Sequence, residues 1–344
     1  MAWFGRKKDG RAGAQDAAIA DFWSWWQESS GRVAAAVGDG TVEELADEIG
    51  QRVTAIDKGL AWEVGQGVAS QHLLTVTAEG DAARRKLARR WLRAAPPADG
   101  TWSYSDVRQA GNLGNTLRVG DVELREGDVR FVARRQGTGL DVVLHHPAFA
   151  DMSKEARAQV TFLCLDECLG EDGVELWVNG VNHSVEDLPD SQPLVQLRGI
   201  VEELADDVAP DGQMGWSVAQ GQGPRGPVLV TCLSRLSPVQ APEHDQHVAV
   251  TVPYADRTAE GWPGPGSLEA LRDLESHLEE AAEGAGQVVA VESAAGVRVM
   301  HFYVDSTTPA AEQIRAATSG WDQGKVVVTV EDDPAWEGVS RFRQ

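Results

Sequence analysis

From His247 onward the residues change period in a fixed order. His247 to Pro253 (HVAVTVP) puts Val248, Val250 and Val252 on one side of an extended chain, since strand side chains alternate between faces. A Gly/Pro loop, Gly261 to Gly266, leads to Ser267, an N-cap candidate for a helix ending near Gly284. Leu268, Leu271, Leu274 and Leu278 form its apolar stripe. Gln287 to Val291 and Val297 to Val304 read as a hairpin, Thr308-Pro309 opens a second helix, and Lys325 to Val330 is a final strand. A β-α-β-β-α-β order with two amphipathic helices has few solutions. The expected one is a four-stranded antiparallel sheet with both helices on one face, the ferredoxin-like arrangement.

The first hundred residues read the same way. Residues 1–15, with Gly5, Gly10 and Gly13, are expected to be disordered. Ile19, Phe22, Trp23 and Trp26 then share one helical face and call for a core groove. Arg32 to Val37 is a candidate strand, and Thr41-Val-Glu-Glu44 is a capping box before a helix striped by Val42, Leu45, Ile49, Val53 and Ile56. Strands at Leu60 to Val64 and His72 to Thr77, a helix from Asp81 to about Ala94, and a strand at Thr101 to Ser105 complete the order. Residues 32–106 are therefore expected to repeat the arrangement of residues 247–332. The predicted fold class is α+β, with two or more ferredoxin-like modules and antiparallel sheets.

The middle of the chain holds a meander of short strands, a helix capped by Ser153 and closed by Gly170, a strand at Glu175 to Val178, and a helix from about Pro193 to Val208. The loop-like stretch Ser237 to Asp245 suggests the main boundary. Residues 16–236 would form an N-terminal α+β region, divisible at about 110, and residues 237–344 a C-terminal domain.

Charge restricts the partners. The net charge is −22, and residues 241–344 hold 18 Asp and Glu against 7 Lys and Arg. Phosphate backbones and anionic membrane surfaces are disfavoured, whereas a basic protein partner would be attracted. No apolar run approaches the ~18 residues of a membrane-spanning helix. The opening residues lack a signal-peptide core, and three cysteines make no disulfide framework, so a cytoplasmic location is expected.

Motifs for chemistry are thin. Gly221-Gln-Gly-Pro-Arg-Gly226 fits G-x-G-x-x-G, but Pro227 and a strand follow where a dinucleotide site needs a helix. Cys164 and Cys168, four apart on a helix, could be half a zinc site, but no second ligand pair accompanies them. Buried structural thiols are the expected role, as hydrogen-bonded structural roles are for His145 and His146. Glu202-Glu203 and Asp206-Asp207 read as a solvated helix face. No catalytic, cofactor-binding or metal-ligating residue is assigned. The candidate interaction surface comprises Tyr254, Trp262, Tyr303 and Trp336, with Arg85, Arg89 and Arg93 from a helix carrying six cations within residues 84–93.

Residues from about Ala241 to Phe342 resemble the bacterial family catalogued as domain of unknown function 695. The resemblance rests on His247 to Pro253, Gly261 and Pro263, Leu271-Arg-Asp-Leu-Glu275, Gly296 with Phe302-Tyr303, and Asp333-Pro334 with Trp336. Residues 21–207 resemble the region that often precedes that family, through Phe22-Trp23, Ala95-Pro96 and Leu165 to Glu171. The resemblance brings no activity with it. The expected function is a non-catalytic protein-binding or regulatory module. The alternative is a hydrolase-type enzyme or small-ligand sensor with a site between the two halves.

Overall fold

The computed structural model describes residues 3–114, 116–119, 122–224 and 226–343. Its helices are α1 (Trp3–Gly38), α2 (Glu43–Ile56), α3 (Ala82–Arg93), α4 (Lys154–Leu169), α5 (Glu171–Trp177), α6 (Leu197–Val208), α7 (Pro265–Ala282) and α8 (Ala310–Ala317). The first strands are β1 (Ala61–Gln66), β2 (His72–Thr77), β3 (Trp102–Ser105), β4 (Thr116–Val119), β5 (Val122–Arg125), β6 (Arg130–Gln136), β7 (Gly139–His145), β8 (Val178–Ser184) and β9 (Gln192–Pro193). The last are β10 (Trp216–Gly223), β11 (Gly226–Leu233), β12 (Gln246–Pro253), β13 (Gly286–Ala294), β14 (Val297–Val304) and β15 (Val327–Asp332). The fold mixes helices with sheets that are mostly antiparallel. Among the described residues no helix is long and apolar enough to cross a membrane.

The chain divides into two compact units. The first runs to Val132 and includes Val143–Glu175 and Val181–Leu197; the second holds Ala133–Val142, Leu176–Gly180 and everything from Arg198.

In the first unit the aromatic stripe of α1 builds the core, as its spacing predicts. Phe22, Trp23 and Trp26 are buried with Ile49 and Val53 of α2, Leu74 and Val76 of β2, and Trp91 of α3. The indole N–H groups are satisfied inside: Trp23 donates to the Trp91 carbonyl at 2.8 Å and Trp26 to the Tyr104 hydroxyl at 2.9 Å.

Residues 32–106 are not a ferredoxin-like module. Arg32 to Val37 is the end of α1, because Ala34-Ala35-Ala36 favours helix and Val33 is buried on its core face. Without a first strand, the sheet is β1-β2-β3, with β2 and β3 parallel and α3 between them in sequence. The helix also reaches back to Trp3, into the stretch where disorder is expected. Glycines cost a helix about 1 kcal/mol each but do not forbid it. The Thr41 box does not form: α2 starts after Val42, with no side-chain cap. Glu175 to Val178, expected as a strand, falls mostly in α5.

In the second unit six strands form one sheet in the order β10-β11-β13-β14-β12-β15, with all five neighbouring pairs antiparallel. Leu271, Leu274 and Leu278 of α7 and Ile314 of α8 cover one face, over Val248, Val250, Met300 and Phe302. Both helices thus lie on one side of β12–β15. The expected boundary at residue 237 falls within this assembly, because β11 pairs with β13 from Leu229↔Ser293 to Cys232↔Ala290. Ser237 to Asp245 is loop-like but links strands of the same sheet. Of the G-x-G-x-x-G string, Gly221, Gly223 and Gly226 lie in the paired ends of the β10–β11 hairpin, and Arg225 lies outside the described residues. Ser267 is inside α7 rather than at its cap; its hydroxyl accepts from Asp256 N–H at 2.9 Å and donates to Gln323 at 2.6 Å.

Candidate functional site

The face of this sheet opposite α7 and α8 carries the chemistry. Odd-numbered positions of β12 and β14 point there, bringing His247 beside Tyr303 and Ala249 beside His301. On β13 a bulge between Val288 and Ala290 reverses the alternation. Val288 and Val291 pack under the helices, whereas Val289 and Ala290 turn to the other side. Glu292 consequently lies on the histidine face, with Oε1 3.4 Å from His301 Nε2.

Aromatic rings form a layer over this face. Trp336 stacks on Tyr303 at 4.6 Å, Tyr303 on His247 at 4.9 Å, and His247 on His301 at 5.2 Å. Phe342 closes the row edge-on to His301 at 5.7 Å. The layer is held by the turn after β15. The Asp333 carboxylate accepts the Tyr303 hydroxyl at 2.6 Å and the N–H groups of Glu337 and Gly338 at 2.9 and 2.8 Å. Trp336 sits at φ +55 and its indole donates to the His244 carbonyl at 2.9 Å. Gly338 must be glycine for space: a Cβ there would lie 2.6 Å from His247 Nδ1.

Electrostatics follow from burial. Desolvation, reinforced by His301, pushes His247 down to about 4, so it is neutral at pH 7. Its Nε2 meets His301 Nδ1 at 3.0 Å, a contact that needs one N–H between the two rings. The contact with His301 and the Arg341 guanidinium, 2.6 Å away, hold Glu292 below the usual carboxylate range. Burial and the Asp333 hydrogen bond raise the Tyr303 hydroxyl, keeping it protonated. Among the described residues no group of three or more His, Cys, Asp and Glu side chains is placed to hold a metal ion.

A shallow cleft of about 520 Å³ opens beside the layer. Val228, Val230 and Cys232 of β11 line it, Glu292 contributes a carboxylate, and the hairpin around Gly221–Pro224 and the segment Arg341–Arg343 complete the lining. Burial raises the Cys232 thiol, which is therefore not a thiolate at neutral pH. Arg341 is committed to Glu292, to the Gly338 carbonyl at 2.8 Å and to the Phe342 ring at 4.2 Å. Arg343 donates to the Ala335 carbonyl at 2.6 Å. The cleft thus offers an apolar surface edged by the Glu292–Arg341 ion pair and by Arg343, with the Cys232 thiol un-ionised.

A second charged cluster lies in the first unit. Glu171 accepts the Thr77 hydroxyl at 2.5 Å and the Gly80 N–H at 2.7 Å. Arg85 is 1% exposed and pairs with Glu175 and, at 2.5 Å, with Asp172. Desolvation raises Asp172, and pushes Asp166 nearby in sequence up to about 6.

The residues of the expected interaction surface differ in exposure. Tyr254, Tyr303, Trp336 and Arg85 are buried, because each has an internal partner: Gly261 O at 2.6 Å for the Tyr254 hydroxyl, and those given above for the others. Trp262 is half-buried. Arg89 is half-buried and bonds Asp106 at 2.6 Å, and Arg93 is exposed. Tyr303 and Trp336 do belong to the stacked layer beside the cleft. His247, His301, Glu292 and Arg341 were not selected by sequence; the alternation placing both histidines on one face is visible in HVAVTVP and VRVMHFYV, whereas the bulge is not. Cys164 and Cys168 are buried, with Cys164 pushed up to about 12 and the Cys168 thiol donating to the Leu194 carbonyl. His145 contacts the Ser184 carbonyl, His146 accepts from Ala148 N–H, and Glu202, Glu203, Asp206 and Asp207 are exposed.

Residues 216–342 match the model of a family of unknown function, DUF695. The match runs from the first residue of β10 to Phe342, so it takes in the β10–β11 hairpin as well as the segment where the resemblance is recognisable by eye. No curated protein and no solved structure matches the chain.

Proposed function

We propose that the protein is a non-catalytic, protein-binding or regulatory module whose recognition surface is the cleft on the face of the six-stranded sheet opposite α7 and α8. The observation that carries this reading is the cleft beside the histidine layer: an apolar surface flanked by Arg341 and Glu292, which neutralise each other. Such a surface suits an apolar side chain of a partner better than a reacting group. In this reading β12–β15 with α7 and α8 are a ferredoxin-like module, extended at the β13 edge by the hairpin that completes the cleft. The net charge of −22 favours a partner whose contact surface is basic, in a cytoplasmic setting, over nucleic acid.

Affinity capture with the full chain as bait, at low and physiological salt, tests this reading, with Val228→Glu in parallel. A basic protein that is retained, weakened by salt and lost with Val228→Glu supports it. Turnover in a hydrolase substrate panel, abolished by His301→Ala, overturns it. So does micromolar oligonucleotide binding that is lost when Arg93, at the exposed end of the helix, becomes glutamate.

A further inference from the structure

The two edges of the six-stranded sheet differ in their protection. β15 carries Glu331 and Asp332, both exposed, and Lys325 stands just before it. Charges on an edge strand block pairing with another chain. β10, at the opposite edge, reads Trp-Ser-Val-Ala-Gln-Gly-Gln-Gly, eight residues without one ionisable group in a chain that is 24% charged. Trp216 is 46% exposed and Val218 69%. The two project from the same face, because they are two residues apart in a strand. No strand pairs with the outer side of β10 among the described residues.

We propose that β10 is a self-association edge, and that its occupant is β10 of a second copy of this chain. Two features select a copy over another partner. A chain at −22 repels itself most where its acids meet, and β10 is an edge segment free of them. Antiparallel pairing of one strand with itself about a two-fold axis is also self-complementary and closed, so it yields a dimer rather than a fibre. Any register that keeps each sheet face on its own side brings Trp216 and Val218 of both copies to one common side, joining two small exposed patches into one. The result is a continuous twelve-stranded sheet.

Sedimentation of the full chain over a range from nanomolar to high micromolar tests this. A monomer–dimer equilibrium is expected, with the dimer lost in Val218→Lys and in Gln220→Lys and retained in Val327→Lys on the other edge. Both β10 positions are exposed, so neither change disturbs the core, and unchanged thermal melts at low concentration confirm that each variant folds. A wild-type chain that stays monomeric throughout overturns the proposal, as does a dimer that survives both β10 substitutions.

Discussion

His247 Nε2 and His301 Nδ1 lie 3.0 Å apart, with their rings inclined by only 11°. Two imidazoles in this contact can share one hydrogen bond but cannot both be cationic without repulsion. The consequence is a pH dependence of stability. The folded value of His247, about 4, is below its ordinary 6.5, so the unfolded chain binds the proton more readily. Stability from this site is complete above 6.5 and falls as pH drops from there towards 4. The loss reaches at most about 3 kcal/mol. Denaturant unfolding across that window should show the decline, and His247→Gln, which keeps a donor but cannot titrate, should flatten it. An unchanged slope in the variant would assign the decline elsewhere.

Asp333 governs the cleft lining through the turn it organises. Its carboxylate holds the Tyr303 hydroxyl and two backbone N–H groups, and Arg341 and Phe342 lie at the end of the segment that follows. Asp333→Ala should cost about 3 kcal/mol, since three charge-assisted bonds are lost together, and Tyr303→Phe about 1–2 kcal/mol. Hydrogen exchange should report faster amides at Glu337 and Gly338 in the first variant but near-native rates in the second.

What could be read in advance follows the range of the forces involved. The β12–β15 element order and the apolar stripe of α7 were legible, because period is a local signal. The α1 core stripe was legible for the same reason. Arg32 to Val37 was not, since β-branched Val33 and Val37 frame three alanines and only continuity with α1 decides between strand and helix. Arg85 was misplaced because its acids are 87 and 90 residues away in sequence. Tyr303 and Trp336 were picked out as functional aromatics, but the reason they matter, stacking with a buried histidine pair, depends on strand register and a bulge.

The cysteines should behave as buried thiols. Cys164, pushed up to about 12, and Cys168, bonded to a carbonyl, should resist a thiol reagent in the native state at pH 8 and react on unfolding. Cys232, at the cleft, should react more slowly than a free thiol yet before the other two. Elemental analysis should find no stoichiometric zinc; one zinc per chain would contradict this assignment.

Arg85 tests whether the cation-rich helix serves the interior or the surface. Its guanidinium is 1% exposed and bonds Asp172 and Glu175, which are themselves about one-third exposed. Arg85→Met keeps much of the aliphatic volume but leaves these acids, and Glu171 at 4.0 Å, without their cation. Breaking a fully buried pair costs about 3–5 kcal/mol, and solvent at the acids reduces this to about 2–3 kcal/mol here. The deficit should shrink as pH falls, because an acid that has lost Arg85 can relieve part of the penalty by taking up a proton, and Asp172 is already raised by burial. Arg93→Met, on the exposed end of the same helix, should change stability by less than about 0.5 kcal/mol. Equal small effects at both positions in urea unfolding would mean that Arg85 contributes nothing to the fold, and would return the helix to consideration as a contact surface.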